Sequence, residues 1–143
     1  GIKRRCSYEG QGAVLLEAAA SADDGVYNYT LDGAPLRFDW RDMIRGIVTD
    51  MNRGDDVGAI AARFMNTLID MATRQCGAAR SETGIDSVVL SGGTFQNMYL
   101  MRRLPERLRE AGFTVYHHSR VSTNDEGISL GQLMVAQHQL ERK

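Results

Sequence analysis

A glycine pair, an asparagine and an aspartate carry the chemistry this sequence offers. Gly92 and Gly93 follow the short apolar run Val88-Val89-Leu90 and precede an amphipathic helical pattern, which reads as strand, tight turn and helix. Without a Cβ at either position a phosphate can approach the backbone closely, and N–H groups at the helix start can point at the anion. In open α/β sheets ligands bind beyond the carboxyl ends of strands, where such a turn lies. The turn is therefore a candidate nucleotide site, although it is neither a Walker A loop nor a Gly-x-Gly-x-x-Gly fingerprint. The same pair also reads as a plain strand-to-helix turn.

Asn97 opens the helix after that turn, where its amide either caps the helix or reads a purine edge. Asp125 stands in a turn after the next strand, on the same sheet edge. Its carboxylate either caps the last helix or meets a cation bridging phosphates at Gly92-Gly93. Gly10 lies between Glu9 and Gln11 in a polar turn that either caps a helix or holds ribose hydroxyls. His117-His118 does not read as a metal pair, because adjacent strand residues point to opposite faces and the third His is distant His138. Cys6 and Cys76 lack a C-x-x-C spacing and read as reduced thiols without assigned chemistry.

The elements that must position these groups are legible in order. Residues 8–20 predict a Gly-rich entry into an Ala/Leu helix with Leu15, Leu16 and Ala19 on a buried stripe. Val26 to Leu31, Asp32-Gly33 and Leu36 to Phe38 predict a hairpin. Asp39 is the predicted N-cap of a helix carrying Trp40, Met43, Ile44 and Ile47 and ending near Arg53-Gly54. Asp55 or Asp56 caps the longest helix, with Ile60, Phe64, Leu68, Met71 and Ala72 at helical spacing up to Cys76-Gly77. The Met and aromatic positions in these stripes read as packing. Beyond the central turn, Tyr99, Leu100, Leu104 and Leu108 mark a helix that Pro105 is expected to kink or restart. Phe113 to His117 is the next strand, and a last helix runs from about Ile128 to Leu140. The second half is thus a βαβα unit with parallel strands.

Composition excludes several classes. In 143 residues, 43% hydrophobic and 24% charged usage fits one compact α/β domain over residues 1–143. Charge clusters are confined to Lys3-Arg4-Arg5 and Glu141-Arg142-Lys143, and the formal net charge is -1, which does not favour nucleic acid or an anionic membrane. No apolar run approaches the roughly 18 residues of a membrane span, and no signal-peptide pattern is seen, so a cytoplasmic protein is expected. The start at Gly1 suggests a processed chain or a piece of something longer.

Taken together, Tyr8-Glu9-Gly10-Gln11, Ala62-Arg63-Phe64, Leu90-Ser91-Gly92-Gly93 with Phe95-Gln96-Asn97, Asn124-Asp125 with Gly127, and Leu130-Gly131-Gln132 resemble the C-terminal part of HypF, the carbamoyltransferase family of nickel-iron hydrogenase maturation. The resemblance implies one lobe of a Kae1-like module in the actin-like ATPase (ASKHA) fold, a mixed sheet with flanking helices. It implies ATP and carbamoyl phosphate as sources of a carbamoyl-adenylate, and transfer of the carbamoyl group to the C-terminal Cys of a HypE-type acceptor. By the same resemblance Gly92 and Gly93 face the nucleotide phosphates, Asn97 meets the adenine, and Gly10 and Gln11 lie near the ribose. Asp125 would be one ligand of a divalent metal (Zn, Fe or Mg), whose His ligands belong to N-terminal domains absent from this sequence. An inactive fragment is expected on that account. Met65, Thr94 and Glu126 depart from the family's usual His, Val and Gly, and Glu126 would be strained if its position needs positive φ. The rival readings are the same lobe of a tRNA threonylcarbamoyl transferase and a non-catalytic docking scaffold.

Overall fold

The computed structural model describes residues 2, 5–33 and 36–141. Lys3, Arg4, Arg142 and Lys143 of the terminal charge clusters lie outside the described residues, as do Ala34 and Pro35 of the hairpin loop. In chain order the elements are α1 (Gln11–Ala19), β1 (Thr30–Asp32), β2 (Arg37–Asp39), α2 (Arg41–Arg53), α3 (Val57–Thr83), β3 (Ser87–Leu90), α4 (Met98–Glu110), β4 (Thr114–His117) and α5 (Ile128–Glu141). Single 3₁₀ turns at Gly93–Gln96 and Asp125–Gly127 precede α4 and α5. Both strand senses of the expected mixed sheet are present, in two separate ladders: β1 and β2 antiparallel, β3 and β4 parallel.

The spine is α3. The Asp56 carboxylate accepts the Ala59 N–H at 2.9 Å and so caps its start. Its buried face carries Ile60, Met65 and Ile69, of which Met65 and Ile69 join Leu100, Leu104 and Leu108 of α4, with Leu90 and Phe113, in one apolar core. Each such side chain removed from water contributes about 1.5–3 kcal/mol, which is what holds α4 and the parallel ladder against α3. On the opposite flank α1 approaches α3 at Gly58, where a Cβ would stand 2.6 Å from the Ala19 carbonyl oxygen. Leu15, Leu16 and Ala19 are accordingly half-buried.

Four expectations are corrected. The long helix does not stop at Cys76-Gly77 but continues to Thr83, where Gly84 ends it at φ 72°. The extra turns are held by Arg80, which stacks 4.1 Å from the Phe113 ring centroid and donates to the Ala111 carbonyl at 2.9 Å. Pro105 does not break α4, which runs through it uninterrupted with Leu104, Pro105 and Leu108 all buried. Trp40 and Ile44 do not pack; they are 57% and 40% exposed, whereas Met43 of the same helix is buried. The α2 N-cap position is Trp40 rather than Asp39, although the Asp39 carboxylate still accepts the Arg41 N–H at 3.0 Å.

An ionic cluster ties the chain before the hairpin to α2 and α3. Arg63 hydrogen-bonds Asp23 at 3.1 Å and Asp50 at 3.0 Å, and the Tyr27 hydroxyl donates to Asp50 at 2.8 Å. The Arg63 guanidinium holds the Asp23 carboxyl below its ordinary value. Burial, reinforced by the Asp50 carboxylate, pushes the Tyr27 hydroxyl up to about 12. Burial also pushes the Cys76 thiol up, away from a reactive thiolate. No helix among the described residues is long and apolar enough to cross a membrane.

Candidate nucleotide-binding site

The parallel pairing of β3 with β4 sets Leu90 beside His117, so both strands end at one edge. Beyond that edge Gly92 adopts φ 107°, ψ 159°, a conformation open to glycine alone. Gly93 lies outside the left-handed region, and a Cβ built on it meets nothing within 4 Å. Its lack of a side chain therefore serves neither backbone nor packing; it keeps the face above the turn clear.

The 3₁₀ turn carries the chain from Gly93 into Asn97, whose Oδ1 accepts the Leu100 N–H at 3.0 Å as the N-cap of α4. The other end of the amide donates weakly to the Met65 sulfur at 3.6 Å. Met65, 1% exposed, is thus a core residue that also orients Asn97, a role open to a thioether as a weak acceptor. Glu17 of α1 accepts the Met98 N–H at 2.7 Å, joining α1 to the same helix start. Between these elements lies a cavity of about 250 Å³ lined by Gly10, Glu17, Met65, Gly93, Thr94 and Asn97 among others. Three residues predicted from sequence, Gly10, Gly93 and Asn97, thus share one cavity. Gly10 occupies the left-handed region at φ 79° as the residue before α1. Gln11 is spent locally, its Oε1 accepting from the Ser7 N–H at 2.7 Å, and it does not line the cavity.

Asp125 is brought close by a backbone bond rather than by a side chain. The Gly92 N–H donates to the Thr123 carbonyl at 2.8 Å, which lays the 122–127 loop along the glycine turn. Asn124, not Asp125, is the cap: its Oδ1 accepts from Glu126 N at 3.1 Å and from the Ser122 hydroxyl at 2.6 Å. The Asp125 carboxylate is exposed and accepts no hydrogen bond among the described residues, so the capping alternative does not hold. Glu126 is unstrained, since every positive φ among the described residues belongs to glycine. No group of three His, Cys, Asp or Glu among the described residues could hold a metal ion. At the strand edge the Ser91 hydroxyl and His118 Nε2 lie 3.0 Å apart.

Residues 1–132 match the family model described as "Carbamoyltransferase, Kae1-like Domain, second subdomain". The chain belongs to this family. Among curated relatives of this Kae1-like carbamoyltransferase lobe, "Carbamoyltransferase HypF" of Synechocystis sp. is 32% identical over 138 residues, 94% of this chain and 17% of the relative. The protein of the same name from Rhodobacter capsulatus is 33% identical over 144 residues, 96% of this chain and 18% of its own length. A "tRNA N6-adenosine threonylcarbamoyltransferase" of Syntrophotalea carbinolica is 31% identical, but over only 54% of the chain. Of solved structures, full-length HypF in a phosphate- and nucleotide-bound form superposes with TM-score 0.90 at 40% identity, covering 99% of this chain and 19% of that one. T. kodakarensis HypF shares the fold with TM-score 0.75 at 23% identity. The Kae1-like lobe is one lobe of an actin-like ATPase fold, and it spans about a fifth of the length of the HypF proteins it matches.

Within this lobe, sequence reasoning missed Glu17, Met65 as a positioning residue, and the Ser91–His118 contact. Glu17 carried one legible signal, the single acid on an Ala/Leu-rich helix. The Ser91–His118 contact depends on the parallel register and left none.

Proposed function

We propose that this lobe binds the nucleotide of a carbamoyltransferase that takes ATP and carbamoyl phosphate through carbamoyl-adenylate. The acceptor is the C-terminal Cys of a HypE-type protein, and the process is nickel-iron hydrogenase maturation. The observation that carries the reading is the convergence of Gly10, Gly93 and Asn97 on one cavity, with Gly92 hydrogen-bonded to the loop that presents Asp125. A purine in that cavity meets the Asn97 amide, and its phosphates cross the cleared face of Gly93. The matching full-length HypF structure, described as phosphate- and nucleotide-bound, supports ATP as the ligand class.

Asp125 would supply one carboxylate to a divalent metal whose other ligands would come from outside this lobe. Such a metal would neutralise phosphate charge when bound. In the transfer, thiol sulfur attacks the carbamoyl carbon, the bond from that carbon to the phosphate oxygen breaks, AMP leaves, and the thiol proton passes to solvent. The lobe alone is expected to bind nucleotide without turnover, because half a cleft does not exclude water. The threonylcarbamoyltransferase reading is second, since that similarity covers about half the chain.

The test is an ATP titration of isotopically labelled chain, with and without Mg²⁺, followed by backbone amide shifts and repeated on Asn97→Ala and Asp125→Ala. Shifts confined to residues 10–12 and 92–97, weakened by Asn97→Ala, establish the nucleotide lobe. Asp125→Ala should remove only the Mg²⁺-dependent part. Absence of shifts at saturating ATP refutes the reading for this lobe and favours a docking scaffold.

A further inference from the structure

The Ser91–His118 contact lies at the end of the two parallel strands, next to the glycine turn but outside the cavity lined by Gly10, Gly93 and Asn97. Both residues are exposed, 27 positions apart in sequence, and brought together by the register that pairs Leu90 with His117. Two polar side chains in contact at a sheet edge contribute little to stability in water, so the fold itself does not require the pair.

A Ser–His contact suggests a nucleophile and its base, but that chemistry needs a third group to orient the imidazole. Here no carboxylate hydrogen-bonds His118 among the described residues, and the neighbouring His117 ring contacts only the His118 carbonyl, at 3.2 Å. The arrangement instead suits a donor relay. With the Nε2–H tautomer, His118 donates to the Ser91 oxygen, and the Ser91 hydroxyl proton is left to point outward. It leaves the sheet edge one residue before Gly92, whose own N–H is taken by Thr123 and so is not available to an anion.

We propose that His118 is a positioning residue that aims the Ser91 hydroxyl at a phosphoryl oxygen of the bound nucleotide, on the side of the glycine turn away from the base. The assignment rests on the nucleotide reading above and gives that site a polarity. The base lies in the cavity between α1 and α4, and the phosphates run outward over Gly93 toward the strand edge and Asp125. Ser91 replaces, as donor, the backbone N–H that Gly92 spends on Thr123.

The experiment compares adenosine with ATP on the same chain, by amide-shift titration, for wild type, Ser91→Ala, His118→Phe and His118→Gln. Gln places a side-chain amide donor near the position of Nε2, whereas Phe keeps a ring and loses the donor. Ser91→Ala and His118→Phe should each weaken ATP roughly tenfold or more, the loss of one hydrogen bond to a charged oxygen, and leave adenosine unchanged. His118→Gln should stay within about twofold of wild type for both ligands, on the same hydrogen-bond accounting. In the wild-type complex the His118 side-chain nitrogen spectrum should show the Nε2–H tautomer. Unchanged ATP affinity in Ser91→Ala overturns the proposal while leaving the nucleotide reading intact. Equal losses for adenosine and ATP overturn it in favour of a structural role. Failure of wild type to bind either ligand overturns the nucleotide reading and this proposal together.

Discussion

Changing Gly93 to alanine separates a ligand site from an ordinary turn. A methyl group at this position meets nothing within 4 Å, and the backbone is outside the left-handed region, so no fold contact is lost or strained. Stability should change by no more than about 0.5 kcal/mol, as for an ordinary surface substitution. If phosphate passes over this face, the methyl occupies its path, and one charge-assisted hydrogen bond is lost, worth about 1.5–3 kcal/mol or roughly ten- to a hundredfold in affinity. Gly92→Ala is the control of opposite character, since φ 107° with ψ 159° imposes about 1–3 kcal/mol of backbone strain on any side chain. Urea denaturation reads the first quantity and the ATP titration the second. Were Gly93→Ala to bind ATP as wild type does, the cleared face would have no ligand and the argument from Gly93 would fail.

Asn97→Ala removes the α4 cap and should cost about 1 kcal/mol, whereas Asn97→Ser keeps a capping oxygen and should cost only a few tenths; both should lose nucleotide affinity alike if the amide reads the base. Equal nucleotide binding by Asn97→Ser and wild type would confine Asn97 to capping. Two glycines of α3 should respond with opposite signs: Gly77→Ala meets open space and should raise stability by about 0.5–1 kcal/mol, while Gly58→Ala drives a methyl against the Ala19 carbonyl and should lower it by about 1–3 kcal/mol. Thermal melts of the two variants check this pair. Tyr27, held neutral by burial and Asp50 up to about 12, contributes stability that is complete below the ordinary tyrosine range and is lost as pH rises through 12. Tyr27→Phe should flatten that alkaline limb in denaturation curves recorded across pH, and an unchanged limb would refute the assignment.

The parts of this structure that were legible in the sequence are those governed by short-range rules. Asp56 caps α3 and Gly54 closes α2 because a carboxylate before an apolar repeat, and a glycine after one, answer unpaired backbone groups locally. The βαβα order of the second half followed from periodicity. The misjudged helix ends depend on tertiary partners: Gly77 costs α3 only about 1 kcal/mol, and Arg80, which stacks on Phe113 just before β4 and bonds the Ala111 carbonyl, offsets it. Pro105 passes unbroken because its ring is buried in the core, which sequence spacing does not reveal. Around the cavity, Gly93 and Asn97 could be singled out by type, whereas the choice left open at Asp125 between cap and cation ligand could not be narrowed from sequence, because Asn124 and Asp125 are equally able acceptors. Only the bonds from Glu126 N and Ser122 to Asn124 distinguish them.

The last helix, α5, buries none of its side chains, and its principal neighbour is the 3₁₀ turn that opens it. A helix of this length without a packed face gains little from its own backbone bonds. Its amides should therefore exchange with deuterated solvent through local fraying, while those of α3 and α4 around Leu108 wait for global unfolding. The last helix begins at Ile128, directly after the turn of Asp125 and Gly127. Any surface that comes to cover α5 would slow that exchange, recording its arrival in amides that the nucleotide site does not share.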